Sequence, residues 1–227
     1  MQNLTQELNK SGYLCDSRFA AKVAASLSTR PVSGAFLFGP AGTGKTYLPE
    51  ILSGINKAEF FFTQCFPGTR EDDLLVKMLP SETTPSGIAL YDGVISQAIK
   101  ACQSRSRKPV YLVLDEWDKT RPSADSFLLD FLQKGRVNYN GHSAQLTPAQ
   151  LSKLTVFITM NDEREISEPL LRRLPRIDFA PLSPSLVAKA LAGSHPGHEY
   201  INAATTLYQR TVGAGLPKPA TIQELRQ

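Results

Sequence analysis

Short apolar runs alternate along the chain with longer segments in which apolar residues recur every three or four positions. This alternation predicts a parallel sheet covered by helices, because a strand buried on both faces is apolar throughout, whereas a covering helix is apolar on one face only. The candidate strands are residues 34–39, 58–66, 110–117, 154–161 and 176–182.

Helical patterns fill the intervening segments. Asp16 stands where it would cap a first helix, because its carboxylate can accept a backbone N–H of the first turn. Residues 123–134 and 89–102 carry apolar residues at helical spacing, so we expect a helix over each of these two segments.

Two regions depart from this alternation. Residues 135–148 (GRVNYNGHSAQLTP) contain an Asn-Gly pair, which predicts a β-hairpin inserted before the fourth strand. Residues 183–227 contain two helical patterns and no further candidate strand. We therefore predict an α/β domain over residues 1–182 and a small helical subdomain over residues 183–227.

Composition and charge limit the function classes. The 227 residues are 41% hydrophobic and 20% charged, with a net charge of +4, as in ordinary globular proteins. The three cysteines are far apart, so neither a zinc site nor a disulfide framework is indicated. No apolar run is long enough for a membrane span and the first residues lack a signal-peptide core, so we expect no membrane association and a cytoplasmic location.

A phosphate-binding motif follows the first candidate strand directly. Residues 39–46 match G-x-x-x-x-G-K-[ST] between a strand and a helix, the context expected of a P-loop. Glycines allow backbone N–H groups to turn towards phosphate oxygens, while the helix N-terminus adds positive potential. The predicted nucleotide-binding residues are Gly39, Pro40, Ala41, Gly42, Thr43, Gly44, Lys45 and Thr46.

The chemistry expected of a nucleoside triphosphatase can be placed on few side chains. Lys45 can reach the β- and γ-phosphates, and Thr46 and Asp115 can hold Mg²⁺. Glu116 follows Asp115 at the end of the third strand and can activate water. Asn161 ends the fourth strand and could place its amide near the γ-phosphate, although a turn-forming asparagine is the alternative.

This order of motifs resembles the AAA+ ATPases over nearly the whole chain. The chain is similar to their MoxR branch in "GYLCDSRFAAKVAASLSTRPVSGAFLFGPAGTGKT", "TQCFPGTREDDLL", "NDEREISEPLLRRL" and "LPKPATIQEL". The resemblance implies a five-stranded parallel sheet in the order 5-1-4-3-2, a short C-terminal helical lid, and ATP with Mg²⁺ as ligands. It also identifies residues 135–148 as a pre-sensor hairpin.

The same resemblance implies a homo-oligomer, commonly a hexameric ring, with nucleotide between subunits. A neighbouring subunit would insert an arginine towards the γ-phosphate. By its position in the family pattern, Arg173 fits best and Arg172 is the fallback. Neither arginine has an obvious carboxylate partner nearby in the sequence. Such ATPases remodel or mature a client or adaptor protein, often with a von Willebrand A-type partner.

Several positions depart from the family pattern or allow more than one role. The lid is short, and only Arg226 stands near the place of a second sensor arginine. The polar pair Thr63 and Gln64 either restrains Glu116 between turnovers or simply ends the second strand. Tyr13 lies where the family's adenine pocket begins, but packing is its favoured role.

Other classes of protein share the P-loop motif. A GTPase needs an Asn-Lys-x-Asp motif, whereas residues 56–59 end in glutamate, and a small-molecule kinase does not need Glu116. The main alternative is a nucleic-acid-linked AAA+ ATPase, such as a loader or a restriction-type or mobile-element motor. The basic run at residues 104–108 could contact phosphate, although a solvated loop before a strand is the favoured interpretation. A scaffold that binds ATP without hydrolysis is disfavoured by intact Lys45, Asp115 and Glu116.

Overall fold

The computed structural model describes residues 2–139, 141–192, 197–214, 220 and 224–226, with the backbone alone for residues 2, 139, 142, 198 and 226. The strands are β1 (Ser33–Phe38), β2 (Glu59–Gln64), β3 (Val76–Pro80), β4 (Ile88–Asp92), β5 (Val110–Asp115), β6 (Arg136–Tyr139), β7 (His142–Gln145), β8 (Leu154–Met160) and β9 (Arg176–Asp178).

Helices occupy most of the segments between the strands. They are α1 (Gln2–Lys10), α2 (Ser17–Leu27), α3 (Tyr47–Ile55), α4 (Glu71–Leu75), α5 (Val94–Gln103), α6 (Ser123–Lys134), α7 (Pro148–Leu151), α8 (Glu168–Leu171), α9 (Pro184–Ala192) and α10 (His198–Gly213). Short 3-10 turns cover Trp117–Lys119 and Glu224–Arg226.

The main sheet has five parallel strands in the order β2-β5-β8-β1-β9. In chain order these are the second, third, fourth, first and fifth strands of the sheet, so the predicted 5-1-4-3-2 order is confirmed. Residues of β1, β5 and β8 are buried along their whole length, which explains why these runs are mostly apolar.

Neighbouring residues of the central strands point into different hydrophobic clusters. Phe36 packs with Leu112 and Val156 in one cluster, while Leu37 packs with Val113 in a second. Each fully buried side chain of this size contributes about 1.5–3 kcal/mol to folding. The sheet is thus covered by helices on both faces, as the alternating pattern predicts.

The local predictions for the helix that follows Asp16 and for the inserted hairpin are confirmed. Asp16 caps α2, with its Oδ1 atom accepting a hydrogen bond of 2.7 Å from the Phe19 backbone N–H. The strands β6 and β7 pair antiparallel within the segment predicted as a hairpin.

The predicted helix over residues 89–102 is wrong at its start. Residues Ile88–Asp92 form β4, which pairs antiparallel with β3, and the helix begins only at Val94. Gly93 lies between β4 and this helix. A Cβ added at Gly93 would lie 2.3 Å from the Leu74 backbone, so the position requires glycine. The hairpin β3–β4 is exposed, with Met78 and Leu90 largely accessible to solvent. Its apolar residues therefore lie at the surface, although their spacing in the sequence fits the buried face of a helix.

A separate apolar cluster lies in the C-terminal region. It joins Val187 and Leu191 of α9 with Ala204 and Tyr208 of α10, and Leu182 packs against it. The division of the chain at residue 182 stays a prediction, which this separate cluster supports. No helix within the described ranges combines the length and apolarity needed to cross a membrane.

Candidate nucleotide-binding site

The predicted site residues gather at one edge of the sheet. Parallel strands bring their carboxyl ends to the same edge, where ligands of open α/β sheets bind. The loop after β1, Gln64 at the end of β2, Asp115 at the end of β5 and Asn161 after β8 all lie there.

The loop between β1 and α3 has the backbone of a phosphate cradle. Gly39 has a φ of +149°, and a Cβ there would lie 2.3 Å from the carbonyl oxygen of Phe179 after β9. Gly44 has a φ of +89°, a left-handed conformation that glycine adopts without steric cost. The close approach of β9 and the turn of the loop therefore both require glycine.

Lys45 is folded back onto this loop. Its Nζ donates hydrogen bonds to the carbonyl oxygens of Gly39 at 2.7 Å and Pro40 at 2.8 Å. Lys45 is only 6% exposed. Burial lowers its pKa, and the nearby carboxylates, with Asp115 first among them, counteract part of that effect. The ammonium group is thus held beside the turn where phosphates would lie.

One carboxylate oxygen of Asp115 accepts hydrogen bonds from two hydroxyl groups. Its Oδ1 atom accepts hydrogen bonds of 2.7 Å from Thr46 and of 2.7 Å from Thr159. The Thr159 hydroxyl oxygen also accepts a hydrogen bond of 2.9 Å from the backbone N–H of Glu116. Thr159 therefore fixes both acidic residues relative to β8.

Glu116 is turned out of the strand by an unusual backbone conformation. Its φ of +56° and ψ of +46° are left-handed, and such a conformation costs about 1–3 kcal/mol in a residue other than glycine. The chain then enters the 3-10 turn Trp117–Lys119. That turn brings the Lys119 ammonium back to the Glu116 carboxylate.

Three donors hold the Glu116 carboxylate. Gln64 Nε2 at 2.8 Å and Lys119 Nζ at 2.9 Å donate to Oε2, and Asn161 Nδ2 donates to Oε1 at 3.3 Å. Burial alone would raise the pKa of Glu116, but the hydrogen bonds from Lys119, Gln64 and Asn161 together hold it below its usual value. Glu116 is therefore a restrained anion.

Asn161 is positioned by a buried carboxylate. Asp118 Oδ2 accepts the backbone N–H groups of Asn161 at 2.7 Å and Glu163 at 2.9 Å. Asp118 is buried, so this clamp fixes the start of the loop that follows β8. As a result the Asn161 amide reaches Glu116.

A pocket of about 550 Å³ opens over these residues. Gly42, Lys45, Asp115, Glu116 and Asn161 all contribute to its wall. The aromatic rings of Tyr13 and Tyr47 flank one side, with their centroids 6.0 Å apart. Tyr13 is buried and also stacks on Phe19. The described residues thus place Tyr13 both in the core packing and at the pocket.

The two arginines after α8 do not line this pocket. Arg173 is partly buried, donates to Gln133 Oε1 at 3.1 Å, and makes no ion pair within the described ranges. Arg172, in contrast, is 70% exposed and pairs with Glu168 one turn earlier. The expectation that neither arginine has a carboxylate partner is wrong for Arg172, because the helical spacing of α8 brings Glu168 beside it.

Sequence reasoning did not identify Thr159, Lys119 or Asp118 as part of the site. Lys119 and Asp118 stand three and two residues after Glu116, but only the 3-10 turn brings them to the site. Thr159 lies within an apolar strand, where its polarity was the sole indication. The basic run at residues 104–108 precedes β5 and so lies at the opposite end of that strand.

The fold and this pocket define a P-loop nucleotide-binding protein of the α/β class. Residues 34–174 match the family model for the AAA domain of the dynein-related subfamily. That match covers more than half of the 227 residues, and the chain belongs to this family of ATPases.

A solved structure shows the same fold. The crystal structure of a candidate ATPase from Cytophaga hutchinsonii ATCC 33406 matches with a TM-score of 0.56 at 14% identity. The match covers 99% of this chain but 62% of that one, so this chain spans less than two thirds of its neighbour's length. A search of curated protein sequences gives no match.

Proposed function

We propose that this protein hydrolyses ATP with Mg²⁺ and works as a ring that remodels or matures a partner protein. The observation that carries the proposal is the convergence of Lys45, Thr46, Asp115, Glu116 and Asn161 on one pocket. A cation, a hydroxyl, two carboxylates and an amide are the set of groups that phosphoryl transfer to water requires.

The donor set suits both nucleotide and metal. The Thr46 hydroxyl and the Asp115 carboxylate meet at 2.7 Å, and such oxygen ligands are those that Mg²⁺ prefers. When bound, the ion would neutralise charge on the phosphates. Lys45 would exchange the carbonyl oxygens of Gly39 and Pro40 for phosphate oxygens.

Glu116 is the proposed general base. Water attacks the γ-phosphorus while Glu116 accepts a proton from that water, the bond to the bridging oxygen breaks, and the products are ADP and phosphate. Asn161 orients the reacting water. Gln64 and Lys119 both donate to Glu116 Oε2, so Glu116 must leave them before it can act. We propose that Gln64 restrains Glu116 between turnovers.

Arg173 is the proposed arginine that acts on the neighbouring subunit. Its lack of an ion pair within the described ranges, together with its place outside its own pocket, supports a role at another subunit. Arg172 is disfavoured because Glu168 already holds it.

The ring is tested by sedimentation of the Glu116→Gln variant with and without ATP. We expect a nucleotide-dependent ring, because the variant binds ATP without consuming it. Monomers that persist with ATP, together with hydrolysis undiminished in that variant, would contradict the proposal. The matched pair Arg173→Ala and Arg172→Ala then assigns the arginine: the first should keep ATP binding and lose turnover, and the second should keep both.

The finer assignment is to MoxR-like ATPases with a cytoplasmic client or adaptor protein, among which a von Willebrand A-type partner is the first to test. The motif segments around the P-loop and the arginines support this branch. We further propose that residues 183–227 form the lid, since Leu182 and Ala190 reach the nucleotide pocket. The side chain of Arg226, the candidate second sensor, lies outside the described residues.

A further inference from the structure

A second buried polar cluster lies beside the nucleotide site, centred on Asp125 in the first turn of α6. Asp125 is 2% exposed. Its Oδ1 atom accepts hydrogen bonds from Trp117 Nε1 at 2.9 Å and Arg164 Nη2 at 2.8 Å. Its Oδ2 atom accepts hydrogen bonds from Arg164 Nη1 at 3.2 Å and the Ser167 backbone N–H at 2.8 Å. Both carboxylate oxygens are thus fully used.

Arg164 completes the cluster from the loop after β8. Its side chain is 15% exposed, and besides Asp125 it donates to the Thr120 carbonyl oxygen at 2.9 Å and to the Thr120 hydroxyl at 3.1 Å. The planar guanidinium therefore bridges α6 to the turn that follows β5, with a geometry that lysine could not reproduce.

The cluster contacts both the segment that follows the proposed base and the segment that leads to the proposed trans-acting arginine. Trp117 directly follows the proposed base Glu116, and Ser167 directly precedes α8, after which Arg173 stands. Ser167 does not cap α8 with its own hydroxyl, so Asp125 fixes the start of this helix through the backbone N–H instead. Since α8 has only four residues, the anchoring of its start sets the position of Arg173.

Stability alone does not account for such a pair. A buried ion pair loses hydration at both charges, and well-packed apolar residues of similar volume often stabilise a protein as much or more. A saturated cluster of this kind fixes a unique geometry for the segments that it joins. What it fixes here is the segment of residues 164–173.

We propose that the Asp125–Arg164 pair positions Arg173, so that this pair controls hydrolysis at the neighbouring subunit's site. The inference rests on the proposed function, in which Arg173 acts across the subunit boundary. Asp125 and Arg164 are positioning residues, because they act through Arg173 and do not themselves line the nucleotide pocket.

Asp118 provides the contrast within the same region. It clamps the backbone of Asn161 and Glu163 and so supports the subunit's own site. On this proposal the two buried aspartates, seven residues apart in the chain, act mainly on different subunits: Asp118 on the subunit that contains it, and Asp125, through Arg173, on its neighbour. Variants of the two should fall into different complementation classes.

The test mixes variants and measures ATP turnover in the assembled protein. Asp125→Asn keeps the shape of the side chain and removes its charge. It should keep the KM for ATP and lower kcat by up to about 100-fold, since a misplacement of about 1 Å can have that effect. Addition of Glu116→Gln subunits, which contain an intact Arg173, should restore turnover. At equal amounts, random assembly gives about one productive site in four.

Asp118→Ala should behave in the opposite way. Glu116→Gln subunits should not rescue it, because its own site is damaged, whereas it should itself rescue Arg173→Ala subunits. The matched control is Asp130→Asn. Asp130 lies on the same helix α6 and pairs with Arg136 at the surface, outside this cluster, so turnover should be unchanged.

Each outcome decides between the two proposals. If Arg173→Ala mixed with Glu116→Gln stays inactive, the action across the boundary is refuted. If that mixture recovers but the Asp125→Asn mixture does not, only the positioning role is overturned. Arg164→Lys serves as the second variant, with folding followed by far-UV circular dichroism, because Trp117 itself lies in the cluster. If both variants fail to fold, the pair is structural and the inference is overturned.

Discussion

The Thr159→Val substitution tests whether one hydroxyl fixes the acidic end of β5. Thr159 is 1% exposed, donates to Asp115 Oδ1 and accepts the backbone N–H of Glu116. Valine has nearly the same shape but can neither donate nor accept. The substitution therefore removes one hydrogen bond to a charged group and leaves one buried N–H without its acceptor.

The size of the effect follows from these two contacts. A hydrogen bond to a charged group contributes about 1.5–3 kcal/mol, and an unsatisfied buried donor costs about 1–3 kcal/mol. Burial of the added methyl group returns about 0.8 kcal/mol. Asp115 also keeps the Thr46 hydroxyl, so we expect a loss of about 3 kcal/mol in the free energy of unfolding, at the middle of these ranges.

A thermal melt followed by the fluorescence of Trp117 measures this loss. For a chain of this length, about 3 kcal/mol corresponds to a decrease in Tm of about 6–12 °C. Thr155→Val is the matched control, because Thr155 is buried in the same strand and its hydroxyl makes no hydrogen bond within the described ranges. An equal change in Tm for the two variants would refute the reasoning.

Further predictions concern the P-loop and the proposed base, Glu116. Gly39→Ala should weaken ATP binding and lower Tm, because its Cβ would lie 2.3 Å from a backbone oxygen; Gly54→Ala in α3, where nothing lies within 4 Å, should raise Tm slightly. A decrease in pH should test the environment of Glu116. The pKa of Glu116 in the folded protein lies below its ordinary value of 4.5, so its ionised carboxylate stabilises the fold at pH values above 4.5. That contribution is lost as the pH falls through the folded pKa, so the difference in unfolding free energy between the wild type and Glu116→Gln should shrink below about pH 4.5. Gln64→Ala should raise basal ATP turnover, because one donor that restrains Glu116 is lost; an unchanged or lower rate would contradict that role.

The exposed hairpin β3–β4 shows where pattern reasoning fails. The spacing of Leu90, Val94 and Ala98 fits one helix face, but a period over so few residues does not reveal whether the apolar side chains are buried. Gly93 contacts the Leu74 backbone too closely for a side chain, and this contact depends on α4, which lies far earlier in the chain. A local pattern could not contain that information.

The ion pair of Arg172 is a second feature that the sequence pattern did not reveal. Glu168 and Arg172 are four residues apart, a spacing at which helical side chains meet. The sequence indicates a short helix here, but the ion pair became evident only in the structure, where α8 has four residues and Arg172 follows its last turn. Arg173, one position further along, is directed instead towards Gln133 of α6.

Sequence patterns are sufficient to predict the class of fold and the P-loop with the acidic strand end, and the family resemblance adds the strand order. These features depend on residues close together in the chain or on continuous apolar runs, which burial on both faces of a sheet demands. The partners of Glu116, the bridge through Thr159 and the cluster around Asp125 became evident only from the packed fold. Most of these contacts join residues about 40 to 50 positions apart, and only the packing of parallel strands and α6 brings them within hydrogen-bonding distance.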